Sequence, residues 1–156
     1  MSAAASTAPN WHAPKENASS YRATLGANFR NGALDYQENG KDRGPILVEL
    51  MPCLKVDLAK GSPTIYNCLE PISGPIKKNS TVNAWMVWFC PKGGVYDDLT
   101  VQFLYECQVR QTLDLKVEGL SRTRTFRSHT FGKSGKWQIK VARGDKELAT
   151  ANVTVE

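Results

Sequence analysis

The chain has 156 residues, of which 41% are hydrophobic and 22% are charged, and it carries a formal net charge of +5. These values fit one globular domain and differ from the composition of disordered chains. The longest apolar run, residues 84–90, has seven residues, whereas a membrane-spanning helix needs about twenty. No transmembrane helix is therefore expected, and residues 1–20 lack the apolar core of a secretory signal.

The N-terminal part divides into two segments. Residues 1–20 are rich in Ala, Ser, Pro and Asn, which predicts a flexible arm ahead of one domain over residues 21–156. From residue 21 to residue 30 apolar and polar side chains alternate, which predicts a strand with one buried face. We expect this strand to join the sheet of its own domain or, alternatively, to be donated to a neighbouring molecule.

The same two-residue period recurs along the rest of the chain, and no stretch shows the 3.6-residue period of a helix. Turn residues separate the apolar stretches, as in all-β domains. This pattern favours an antiparallel β-sandwich, with a small β-barrel as the alternative. The further predicted strands are 46–50, 54–58, 64–69, 82–90, 99–109, 113–117, 123–131, 137–141 and 149–155.

The end of the chain carries a family resemblance. A Gly-x-Trp strand begins at Gly135, a Gly-Asp turn follows at Gly144, and an alternating strand ends at Val155. This order is similar to the closing hairpin of bacterial immunoglobulin-like domains, and the resemblance extends at pattern level over residues 80–156. It implies an immunoglobulin-like β-sandwich and assigns no functional residue.

Four cysteines allow one disulfide to be predicted from strand register. A hairpin turning at Lys60-Gly61 places Cys53 directly opposite Cys68, at a Cα separation that a disulfide accepts. Cys90 and Cys107 fail this test because the predicted hairpin through residues 91–98 pairs Cys107 with residue 82. We expect both to be free, buried and unreactive thiols.

The residues favour a protein without catalytic activity, metal or cofactor. The cysteine spacings lack the Cys-x2-Cys pairs of zinc sites, and His12 and His129 are the only histidines. No glycine-rich phosphate loop precedes a helix. His129 lies among cations that would not orient it as a base, so a Cys–His enzyme is the least favoured alternative.

Positive charge is concentrated toward the end of the sequence. Residues 111–156 hold nine Lys and Arg against five acids, and residues 119–144 hold no acid. Such a block is typical of a surface that binds an anionic polymer, namely nucleic acid, an acidic glycan or lipid headgroups. The alternative is a solvated strand whose charges discourage aggregation. The candidate binding residues of this basic block are Arg122, Arg124, Arg127, Lys133 and Lys136.

Side-chain alternation divides the basic block. A strand over residues 123–131 puts Arg122 and Arg124 on one face and Arg127 on the other, with His129. We therefore expect Arg122, Arg124 and one lysine of the 133–136 turn to be the most that can meet on one ligand.

The remaining hypothesis is an interaction module. Trp85, Trp88 and Phe89 lie in a strand that is apolar on both faces, so we expect them in the core, with base stacking as the alternative. The absence of catalytic groups favours contact with a protein partner or a homo-oligomer, in a surface, filament or capsid-like assembly. The predicted disulfide favours an extracytoplasmic, extracellular or virion setting.

Overall fold

A computed structural model describes residues 20–22, 37, 40–118 and 122–156. The predicted arm, apart from the exposed Ser20, and the predicted strand beyond Arg22 lie outside the described residues. Within these ranges no helix has the length and apolar character needed to cross a membrane.

Nine strands and one turn of 3-10 helix (Lys41–Arg43) make up the named elements of the described chain. Sheet A has the order β1–β2–β4–β7, with β3 also paired to β2, and sheet B has the order β6–β5–β8–β9. Every pairing between these strands is antiparallel. The strands are β1 (Tyr21–Arg22), β2 (Ile46–Val56), β3 (Cys68–Pro71), β4 (Ser80–Phe89), β5 (Val95–Tyr105), β6 (Gln108–Glu118), β7 (Arg122–Phe131), β8 (Gly135–Arg143) and β9 (Lys146–Val155).

The predicted β-sandwich is confirmed. Alternate side chains of the two sheets form one core between them, in which Trp88, Phe103 and Phe131 are fully buried. Complete burial of one large apolar side chain stabilises a fold by about 1.5–3 kcal/mol. In the described part of the chain the sheets remain two separate layers, so the alternative β-barrel does not form.

The predicted hairpin between β4 and β5 was wrong. β4 pairs with β2 and β7 in sheet A, whereas β5 pairs with β6 and β8 in sheet B. A strand with apolar residues on both faces needs a neighbour on each side and cover on both faces, and β4 has strands on both sides. The chain crosses from one sheet to the other after the buried Cys90.

The predicted strand over residues 99–109 is interrupted by a two-residue turn. Glu106 and Cys107 have φ values of 46° and 67°, the positive values that tight hairpin turns require. Cys107 is therefore exposed at the turn, and the expectation that it is buried was wrong. The apolar alternation does not reveal this turn, because neither of its residues is Gly, Asn or Asp.

Candidate functional site

The predicted disulfide between Cys53 and Cys68 is confirmed, with a Cα–Cα distance of 6.1 Å. The predicted register was wrong, because Cys68 pairs with Val56 and Cys53 pairs with Pro71. Two irregularities in the β2–β3 ladder shift the strands, so the disulfide joins residues that are not directly opposite. Cys90 and Cys107 are free, as predicted.

The disulfide closes a loop over residues 57–67 that is built around one carboxylate. Asp57 accepts hydrogen bonds from the backbone N–H of Ala59 at 2.9 Å and from the hydroxyls of Ser62 and Thr64 at 2.7 Å each. These bonds, that from Thr64 first, hold the pKa of Asp57 below its usual value because they stabilise the charged form. The loop therefore has its own polar framework in addition to the disulfide.

The loop is also attached to the outer face of sheet A. The indole N–H of Trp85 donates to the carbonyl oxygen of Tyr66 at 2.7 Å, and the guanidinium of Arg124 donates to the side-chain oxygen of Asn67. Trp85 is buried, as expected, but it lies in a second cluster with Cys53 and other residues on this outer face. Its ring is covered and is not available for base stacking.

Three large hydrophobic side chains are exposed in the disulfide-closed loop and directly after it. Leu58 is 59% exposed, Tyr66 is 47% exposed and Leu69 is 45% exposed. We call these three residues the loop patch. Elsewhere in the described ranges only Val95 and Val109 are comparably exposed large hydrophobics. Exposed apolar surface on a well-ordered frame is typical of an interaction site.

The register of β7 places the basic residues as alternation predicted. Arg124 and Phe126 lie on the outer face of sheet A, and Arg127 and His129 lie on the inner face opposite Ala84 and Val82 of β4. Arg124 is exposed. The predicted separation of Arg124 from Arg127 and His129 is confirmed.

Arg127 and His129 connect the edges of the two sheets. Arg127 Nε donates to the carbonyl oxygen of Asp114 on β6 at 2.9 Å. The His129 ring is hydrogen-bonded to the side chain of Gln111 and stacks on Phe103 at a centroid distance of 5.2 Å. Burial lowers the pKa of His129. Both side chains are therefore hydrogen-bonded to residues of β6 in the other sheet.

The candidate cations of the basic block are spread along β7 and the turn that follows it. Seven strand positions separate Arg124 from Phe131, which corresponds to about 23 Å of extended strand before Lys133 is reached. Arg124 and Lys133 therefore lie toward opposite ends of β7, and the binding role of Arg122, Arg124, Arg127, Lys133 and Lys136 stays a prediction.

A different pair of cations meets at the far end of β7. The Lys133 ammonium and the Arg110 guanidinium each lie 5.6 Å from the centroid of the Tyr105 ring. Sequence reasoning missed Arg110 because it belongs to the β5–β6 hairpin, whose turn was not recognised. Lys136 is exposed near this end, and its backbone N–H is bound by Glu106.

Ion pairs occur in both sheets. Sheet B carries the ion pairs Lys116–Glu118 at 3.7 Å and Lys140–Glu147 at 3.3 Å. In sheet A the buried Glu49 is paired with Arg22 at 3.3 Å. Beside the disulfide, the exposed Lys55 lies directly across from the exposed Glu70 in the β2–β3 pairing, and its charge also helps to lower the pKa of Asp57.

No protein-family model matches the chain, and a search of curated proteins finds no match. The functional argument therefore rests on the described residues. Among these, no three His, Cys, Asp or Glu side chains are grouped so as to hold a metal ion. The feature that distinguishes one surface from the rest is the loop patch on its disulfide-closed frame.

Proposed function

We propose that the chain is a non-catalytic β-sandwich module that binds another protein through the loop patch, as a subunit of a larger assembly. One observation carries this proposal: Leu58, Tyr66 and Leu69 are exposed on a segment of twelve residues that begins inside a disulfide-closed loop. Removing such side chains from water on binding contributes about 25 cal/mol per Å² of apolar area.

The framework beneath the patch makes it suited to binding. The disulfide, the Asp57 hydrogen bonds and the bond from Trp85 to the Tyr66 carbonyl restrict the loop before any partner arrives. A surface that is already ordered loses less conformational entropy when it binds. Exposed apolar side chains are unfavourable in a free protein, and a partner that covers them removes this cost.

The proposal also covers the class of sandwich domain to which the chain belongs and the compartment in which it works. The resemblance of residues 80–156 to bacterial immunoglobulin-like domains supports membership in that class of sandwich. The disulfide supports an extracytoplasmic, extracellular or virion setting, because such bonds persist in oxidising compartments.

Site-specific photo-cross-linking tests the binding role. p-Benzoylphenylalanine replaces Tyr66 in one variant and Val95, a comparably exposed residue of sheet B, in a control. On irradiation in native extract, we expect a protein adduct from position 66 and none from position 95. Equal adducts from both positions, or none from position 66, would contradict the proposal.

A second candidate function, binding of an anionic polymer, is favoured by the two cations at the Tyr105 ring. Its test is the salt dependence of binding to a single-stranded oligonucleotide. Replacing Arg110 and Lys133 by Gln should reduce the slope of log affinity against log salt by about 1.4, the value for two phosphate contacts. An unchanged slope, or no binding by the wild type, would remove this candidate.

A further inference from the structure

Two edge strands of different sheets meet along one side of the sandwich. β7 ends the strand order of sheet A and β6 begins that of sheet B, and within the described ranges neither has a strand on its outer side. Arg127 and His129 of β7 are hydrogen-bonded to β6. An edge strand presents unpaired N–H and C=O groups along its free side, and these groups can pair with a strand of another molecule.

The free side of β6 carries the carbonyl group of Asp114. In β5 the carbonyl of Asp98 and the N–H of Glu106 are hydrogen-bonded to β8 and the turn that follows it, and the β5–β8 pairing has no irregularity. Because backbone direction alternates along a strand, the even-numbered residues of β5 direct their backbone groups to β8. Thr100 is one of these residues and lies opposite Asp114. The backbone groups of Asp114 therefore point away from β5, toward the free edge.

The free side of β7 carries the carbonyl group of Phe126. At the end of β7 the carbonyl of Phe131 accepts a hydrogen bond from the N–H of Asn79, the residue before β4. The pairing of β7 with β4 is uninterrupted over all ten residues of β7. Counting back from Phe131 in steps of two, Arg127 directs its backbone groups to β4, and Phe126 directs its own outward.

One guanidinium is bound to both of these carbonyl groups. Arg127 Nε donates to the carbonyl oxygen of Asp114 at 2.9 Å, and Arg127 Nη1 donates to the carbonyl oxygen of Phe126 at 3.2 Å. A strand that adds to either edge needs the same carbonyl oxygens as acceptors and would have to displace the guanidinium. An inward-pointing charged side chain is one of the features that protect the edges of natural sheets.

We infer that Arg127 blocks a strand-addition surface at the edges of β6 and β7, and that the strand this surface would otherwise accept is β7 of a second copy of the chain. The inference does not depend on the loop patch. β7 suits such a partner because it has ten residues, contains neither Pro nor Gly and keeps an uninterrupted register. When two copies of β7 pair antiparallel about a two-fold axis, the residues that direct their backbone groups outward meet the same set of residues in the other copy.

Two other edges of the sandwich are protected by different means. β3 has four residues and ends at Pro71. At the end of β9 the N–H of Ile76 donates to the carbonyl of Thr154, and the carbonyl of Ile76 accepts from the N–H of Glu156. Short strands, proline and a covering segment all discourage strand addition. At β7 this protection comes from Arg127.

Sedimentation velocity of the full-length protein over a range of concentrations tests the inference. The test variant is Arg127→Met, which keeps a long side chain and has no hydrogen-bond donor. The matched control is Lys78→Met, which removes the same charge and introduces the same side chain at an exposed position before β4. Because Arg127→Met loses the charged donor, we expect it to associate at concentrations about tenfold below those at which the wild type or Lys78→Met does.

Amide hydrogen exchange identifies the surface through which the variant associates. In associated Arg127→Met, peptides from β7 should exchange more slowly than in the wild type. Sedimentation equal to that of the wild type, association without slower exchange in β7, or equal association of Lys78→Met would overturn the inference.

A second variant keeps the test decisive if Arg127→Met does not fold. Arg127→Gln retains an amide that can donate to one carbonyl group but lacks the charge and the second contact. It should associate with the same slowing of exchange in β7. Sedimentation of Arg127→Gln equal to that of the wild type would show that Arg127 only stabilises the fold, and would overturn the inference.

Discussion

Removal of the Cys53–Cys68 disulfide should destabilise the protein by an amount that its loop length sets. The bonded residues are 15 positions apart. Closing a loop of that length lowers the conformational entropy of the unfolded chain and so raises its free energy by about 3 kcal/mol. In a chain of this size each kcal/mol changes Tm by about 2–4 °C. The Cys53→Ala/Cys68→Ala variant should therefore lose about 3 kcal/mol and melt roughly 6–12 °C lower.

Urea unfolding followed by tryptophan fluorescence measures this free energy directly. The control is Cys107→Ser, which removes an exposed free thiol and should change stability by less than about 0.5 kcal/mol. A double variant within about 1 kcal/mol of the wild type would refute the reasoning that the disulfide limits the unfolded chain. An equal loss in Cys107→Ser would refute it as well.

Three further predictions concern other parts of the fold. Burial lowers the pKa of His129, so the imidazole is protonated at a higher pH in the unfolded chain than in the folded protein. The free energy of unfolding should therefore fall as pH decreases below about 6.5 and level off below the folded pKa. Urea unfolding of His129→Gln across this pH window should show less pH dependence than that of the wild type. A maleimide reagent followed by mass spectrometry should modify Cys107 in the native protein and Cys90 only after unfolding, because Cys90 is buried. Gly44 has φ 92° and ψ 179° and lies against the Arg143 side chain, so Gly44→Ala should cost about 1–3 kcal/mol from backbone strain alone, and an unchanged Tm would contradict this.

The position of β7 and the faces of its side chains were predictable because alternation is a local property of the chain. The strand predicted over residues 123–131 and the separation of Arg124 from Arg127 both agree with the register of β7. A two-residue period follows from strand geometry and needs no knowledge of the neighbouring strand. The Cys53–Cys68 disulfide was also predictable, because a hairpin keeps its two strands close even when the register shifts.

What the tertiary structure alone decided is which strands meet. The placement of β4 and β5 in different sheets, the irregular β2–β3 register and the approach of Lys133 to the Tyr105 ring all depend on contacts between segments that are not adjacent in sequence. The loop patch belongs to this group as well. Leu58 and Leu69 fit the same alternating pattern as core residues, yet both are exposed in the folded chain. Local alternation specifies that one face of a strand is apolar, whereas burial of that face depends on the whole chain packing at once.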